Sequence, residues 1–110
     1  AINFGPNTHK NRTVEELIIE SKKWVADINF IDLSTTTNLY ESKLLKLNID
    51  KAVEKLGWEA TWNFEETIEK TMLWYKEFYK KKEIRNFSIG QIESYIEQAK
   101  DLRVRWATLN

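Results

Sequence analysis

At three candidate helix starts a residue with a short polar side chain is followed, three positions on, by Glu or Gln: Thr13-Val14-Glu15-Glu16, Asn63-Phe64-Glu65-Glu66 and Ser88-Ile89-Gly90-Gln91. This is capping-box spacing, in which the first side chain accepts from the N3 amide and the third reaches back to the cap amide, relieving amides that a helix start otherwise leaves without partners. Behind each box apolar residues recur at helical spacing, and each set predicts one buried face. The first set is Val14, Leu17, Ile18, Trp24, Val25 and Ile28, about four turns, with Ser21 on the same face; the second is Phe64, Ile68, Met72, Tyr75 and Tyr79; the third is Ile89, Ile92, Ile96, Ala99 and Leu102. A shorter helix over Asp50 to Leu56 is stopped by Gly57, the residue best suited to the left-handed position beyond a helix C-terminus. Lys80-Lys81-Lys82 complement the negative end of the second long helix. Helix therefore dominates.

The remaining stretches predict short strands and loops. Ile2-Asn3-Phe4 before Gly5-Pro6 suits the end of a strand, and Asn7 to Arg12 a polar loop. Phe30-Ile31-Asp32-Leu33 and Leu44-Leu45-Lys46-Leu47 suit two more strands, separated by Ser34-Thr35-Thr36-Thr37-Asn38, whose side chains compete for backbone hydrogen bonds. Glu59 to Trp62 is expected to be extended. With 110 residues, 42% of them hydrophobic and no second composition regime, the expectation is one domain over 1–110. Its class is α/β in the α+β manner, helix-dominated with a few short strands.

Composition removes several functions. Seventeen Lys and Arg balance seventeen Asp and Glu, so no global field recruits nucleic acid or an anionic membrane. The absence of cysteine fits a reducing compartment, and with no apolar run near ~20 residues and no signal-peptide pattern the expected location is cytoplasmic. Only Gly5, Gly57 and Gly90 are available, too far apart for a G-x-G-x-x-G or P-loop cradle. Tyr40, Tyr75, Tyr79 and Tyr95 are followed four residues on by Leu44, Tyr79, Glu83 and Ala99, so no Tyr-x-x-x-Lys pair is present. No catalytic, cofactor-binding or metal-ligating residue is expected within these residues. The first residue is Ala1 and the only methionine is Met72, which suggests a processed start or one edge of a larger protein.

Some residues still carry chemical possibilities. His9 with Lys10 and Arg12, just ahead of a helix start, suits either a bound phosphate or a solvated loop. Glu15, Glu16, Glu65, Glu66 and Glu69 suit acid/base work less than dipole stabilisation, because they lie at helix starts or on outer faces. Five tryptophans suit a carbohydrate-stacking platform or a core; Trp24 and Trp58 favour the core, whereas Trp62 and Trp106 are not placed by pattern. Lys80 to Lys82 with Arg85 is more simply a solvated helix end than a nucleic-acid surface. Tyr40-Glu41-Ser42-Lys43 follows a polar loop and precedes a strand, where a carboxylate is positioned to accept from ribose hydroxyls.

The order Asn3-Phe4-Gly5-Pro6, Thr13-Val14-Glu15-Glu16-Leu17, Glu41-x-x-Leu44-Leu45-Lys46-Leu47, Lys51-Ala52, Leu56-Gly57-Trp58 and Thr71-x-x-Trp74-Tyr75 resembles the C-terminal part of the CDP-glucose 4,6-dehydratases, members of the extended short-chain dehydrogenase/reductases. The stretch Phe87 to Ile96 is similar to the end of those enzymes. The Leu-Gly-Trp and Trp-Tyr elements are shared across sugar-nucleotide epimerases and dehydratases; the Asn-Phe-Gly-Pro start, the Glu-x-x-Leu-Leu-Lys-Leu stretch and the tail select the dehydratases. The resemblance implies a lyase that uses NAD to oxidise C4 of CDP-glucose, eliminates water across C5–C6 and returns the hydride, supplying deoxysugars for surface polysaccharide. It implies that the Rossmann domain, the NAD and the catalytic pair belong to a longer, homo-oligomeric parent. This chain would then be a substrate-binding portion, inactive and without cofactor alone, its nucleotide contact Glu41 with Tyr40 beside it. It departs from the family in Tyr40 for the usual His, Ser42 for Ala and Asn48 for Asp. Two other readings stand beside this one: a relative acting on another nucleotide sugar, and a non-catalytic helical interaction module.

Overall fold

A computed structural model of the chain describes residues 1–7, 12–26, 44–45, 47–80 and 83–108. The elements run β1 (Arg12–Thr13), α1 (Val14–Lys22), β2 (Leu44–Leu45), α2 (Asp50–Leu56), α3 (Phe64–Tyr79), α4 (Arg85–Asp101) and α5 (Arg105–Thr108). The fold is helix-dominated, as expected. Its described sheet is one antiparallel ladder in which Arg12 pairs with Leu45 and Thr13 with Leu44. Residues 1–7 join no ladder, so the strand expected over Ile2 to Pro6 does not form, and β1 takes the last residue of the expected loop. Of the strand expected over Leu44 to Leu47, Leu44–Leu45 forms β2 and Leu47 is in no strand; the Phe30–Leu33 strand and the Ser34–Asn38 loop lie outside the described residues.

Two capping boxes close as the spacing requires. Thr13 Oγ1 accepts from the Glu16 amide at 3.1 Å while the Thr13 amide donates to Glu16 Oε2 at 2.7 Å, and Asn63 and Glu66 repeat the exchange at 2.8 and 3.0 Å. α1 is shorter than its apolar pattern. After Lys22 the amides of Lys23 and Trp24 turn to the acceptors three residues back, Glu20 and Ser21, and the helix tightens to a stop. Ser21 is nevertheless buried on the face assigned to it, its hydroxyl donating to Leu17 O at 2.7 Å. α2 ends as expected: Gly57 sits at φ 63°, and the Gly57 and Trp58 amides donate back to Val53 O and Ala52 O.

The third box does not form. α4 begins at Arg85, and its first amides are taken by the carboxylate of Glu83, which accepts from Arg85 at 2.7 Å and Asn86 at 3.3 Å. Ser88 and Gln91 instead point across the molecule. Ser88 Oγ accepts from Trp74 Nε1 at 2.8 Å, Gln91 Nε2 donates to Lys70 O at 2.9 Å, and Gln98 Nε2 donates to Glu66 Oε1 at 3.1 Å. Partners that descend along α3 as they rise along α4 make the two helices antiparallel.

The same bonds rotate α4 away from its expected orientation. Ser88, Gln91, Tyr95 and Gln98 face the domain, while Ile89, Ile92, Ile96 and Leu102, expected to be buried, are 41%, 59%, 38% and 59% exposed. Of that set only Ala99 is buried. The reason is satisfaction of polar groups: leaving the Trp74, Trp62 and Thr61 N–H groups without acceptors would cost about 1–3 kcal/mol each. Among the described residues the buried apolar side chains are Ile49, Ala52, Ile68, Ala99 and Val104, with no large side chain fully buried. Tyr75 and Tyr79, expected on the buried face of α3, are exposed.

Candidate functional site: an aromatic cleft

The left-handed turn at Gly57 delivers Trp58 from the end of α2 onto residues 3–6. Its indole N–H donates to Gly5 O at 2.9 Å, and Phe4 meets its ring edge-on at 5.1 Å. Gly5 also packs closely on Ile49: a Cβ there would lie 3.2 Å from Ile49 Cγ2, so that side chain would have to shift by a few tenths of an ångström. From Trp58 the rings continue. Trp58 stacks on Trp106 of α5 at 6.2 Å, Trp106 on Tyr95 of α4 at 5.7 Å, and Tyr95 meets Trp62 edge-on at 4.7 Å. Each polar atom of these rings is used. Trp106 Nε1 donates to Glu59 O, Tyr95 Oη accepts from the Thr61 amide, and Trp62 Nε1 donates to Gln98 Oε1.

Phe4, Trp58, Trp62 and Tyr95 wall a cleft of two adjoining cavities, with Trp106 stacked behind them. The first, about 310 Å³, is almost wholly apolar and is lined by Phe4, Pro6, Trp58, Trp62, Phe64 and Tyr95, among others. The second, about 510 Å³, shares Pro6, Ala60, Trp62 and Phe64 with it and adds Asn7, Arg12, Thr61, Asn63 and Glu65. At that polar end the Arg12 guanidinium lies 4.7 Å over the Phe64 ring, with Nη2 at 3.3 Å from Glu65 Oε1 and Nη1 at 3.5 Å from Glu16 Oε1. The hydrogen bond from the Thr13 amide lowers the Glu16 pKa below its ordinary 4.5; Arg12 works in the same direction and desolvation against it. Thr61 is buried, and its hydroxyl has no partner among the described residues.

Chemically the cleft suits an uncharged group with an apolar face, since Arg12 is already balanced by two carboxylates and offers little to a phosphate. No group of three or more His, Cys, Asp or Glu among the described residues is placed to hold a metal. Glu41 and Tyr40, the expected nucleotide contacts, lie outside the described residues, as do Ser42, Lys43, His9 and Lys10. Glu16 and Glu66 serve the two capping boxes. Asn48 keeps a turn in front of α2, its Oδ1 accepting from the Asp50 amide at 2.9 Å. Pattern placed neither Trp62, which lines the cleft, nor Trp106, which stacks behind it on Trp58 and Tyr95; the signal was the number of tryptophans, not their spacing. No helix among the described residues is long and apolar enough to cross a membrane.

What this arrangement defines by itself is a small helical domain with an aromatic cleft. Among characterised proteins, the chain is 28% identical over 95 residues to the CDP-glucose 4,6-dehydratase of Salmonella typhimurium (strain LT2), across 86% of this chain and 26% of that enzyme. The relationship is distant, and the chain spans about a quarter of the length of the relative it matches. No protein-family model matches the chain. No solved structure matches it either.

Proposed function

We propose that this chain is the substrate-binding portion of an NAD-dependent nucleotide-sugar dehydratase that converts CDP-glucose to CDP-4-keto-6-deoxyglucose. The observation that carries the reading is the 28% identity to a CDP-glucose 4,6-dehydratase, sustained over 86% of the chain. In this reading NAD is held by a part of the longer protein outside this chain, and the glycines support that. Gly57 is spent on a helix end and Gly90 lies inside α4, so neither contributes to a run of amides that would cradle a pyrophosphate. The chain's own part is confined to the nucleotide sugar: Glu41, with Tyr40 beside it, accepts from the ribose hydroxyls and orients the sugar.

The test is an assay of a longer protein containing this sequence with CDP-, GDP-, UDP- and dTDP-glucose, following the 4-keto product. Product from CDP-glucose, greatly slowed by Glu41→Gln through a raised KM, is the expected result. Turnover of a different nucleotide sugar would move the reading to another member of the group. A soluble protein that acts on none of them would overturn it. The 110 residues alone are expected to show no thermal shift with NAD.

A further inference from the structure

The inward turn of α4 leaves an apolar stripe, Ile89, Ile92 and Ile96, exposed on the flank turned away from the other described elements. A second uncovered apolar surface lies on α3, where Val25, Met72, Tyr75 and Tyr79 line a groove of about 490 Å³ rimmed by Lys76 and Lys80. Tyr75 and Tyr79 stack on one another at 6.3 Å and are 45% and 74% exposed. The two surfaces cannot meet within one molecule. α4 turns its Ser88, Gln91 and Gln98 face to α3, and the α3 groove opens on the side of Val25, just beyond α1.

Their charges match. At the C-terminal end of α3 two lysines directly follow members of the groove, as Tyr75-Lys76 and Tyr79-Lys80; on α4 each glutamate likewise follows a stripe isoleucine, as Ile92-Glu93 and Ile96-Glu97. Both rows are therefore displaced to the same rotational side of their stripes, with members one helical turn apart. Two helices so built, packed antiparallel, bring the apolar stripes together and align the lysine row with the glutamate row along one edge. Lys76, Glu93 and Glu97 have no ion pair among the described residues, and Lys80, its side chain 53% exposed, pairs at 2.6 Å with the half-buried Glu77 three residues back, a solvent-facing pair of modest strength.

We propose that the α4 isoleucine stripe of one molecule docks into the α3 tyrosine groove of a second copy of this chain. The contact is head-to-tail, so each molecule retains one free stripe and one free groove, and association grows beyond a dimer unless it closes into a ring. It does not depend on the enzymatic reading.

Sedimentation velocity over a wide concentration range, with charge reversals, tests it. Wild-type protein is expected to associate progressively. Lys76→Glu with Lys80→Glu, and separately Glu93→Lys with Glu97→Lys, should each raise the concentration needed by about tenfold or more, the effect of ~1.4 kcal/mol. All four positions are exposed, and unchanged far-UV circular dichroism would show that each variant folds. Mixing the two reversed proteins should restore assembly, because each then offers a row complementary to the other. Wild-type protein that stays monomeric throughout would overturn the proposal, and so would association that survives both reversals or fails to return on mixing.

Discussion

The molecule has two aromatic clusters, and they are built in opposite ways. Phe4, Trp58, Trp106, Tyr95 and Trp62 come from four separate stretches of chain, meet ring to ring, and have every indole N–H and the tyrosine hydroxyl in a hydrogen bond. Trp74, Tyr75, Phe78 and Tyr79 come from two turns of α3 and stack largely on one another. In that second cluster the Trp74 N–H bond to Ser88 ties the rings to α4, and Tyr75, Phe78 and Tyr79 are exposed. Rings one helical turn apart meet whether or not a tertiary fold exists. Rings separated by tens of residues meet only if it does, so the first cluster holds the domain together and the second is surface.

The sharpest way to break this contrast is to truncate one ring in each. Trp58→Ala should lower the unfolding free energy in urea by about 2–4 kcal/mol, the lower part of the range for large-to-small changes because Trp58 is half-buried. Tyr79→Ala should change it by less than about 0.5 kcal/mol. Equal effects would dissolve the distinction. Gly57→Ala asks whether the turn that aims Trp58 matters: a side chain at φ 63° costs about 1–2 kcal/mol, and tryptophan fluorescence should change with it.

The polar end of the cleft is tested by acid. The Glu16 pKa is lowered on folding, so its contribution is present above the ordinary value of 4.5 and is lost as pH falls through the folded value. Glu16→Gln should therefore flatten the decline in urea midpoint below pH 4.5, and an unchanged acid slope would show that the Thr13 and Arg12 interactions do not survive in solution. The smallest effect is expected at Arg103, a non-glycine residue at φ 55° in the turn that leads to Trp106. Arg103→Gly should raise the melting temperature slightly, by the equivalent of at most about 1 kcal/mol.

The parts legible in the sequence are those set by local chemistry. α2 and its glycine stop, and the boxes at Thr13 and Asn63, fall where the residues place them, because each is decided within a few positions. α4 shows where that reading ends. Ser88, Gln91, Tyr95 and Gln98 repeat with the same helical spacing as Ile89, Ile92, Ile96 and Ala99, one residue out of step, so periodicity marks two faces and only the partners on α3 and in residues 58–64 choose between them. The third box failed for the same reason, its Ser and Gln being spent on Trp74 and Lys70. Trp58 was legible as a residue following a helix stop. Its stacking on Trp106, whose position depends on a left-handed turn at Arg103, was not. The nucleotide contacts expected at Glu41 and Tyr40 remain readings of the sequence, which the proposed assay addresses directly.

The ring chain that supplies four walls of the cleft begins at Phe4 and passes through Trp106, which backs two of them. During synthesis Trp58 emerges long before the indole that covers one of its faces, so residues 3–5 and the 58–64 segment have no complete wall to settle against until nearly all of the 110 residues have left the ribosome. Closing so long a loop is slow compared with forming any of the helices. The cleft should thus be the last part of the molecule to mature, and the first to open when α5 lets go.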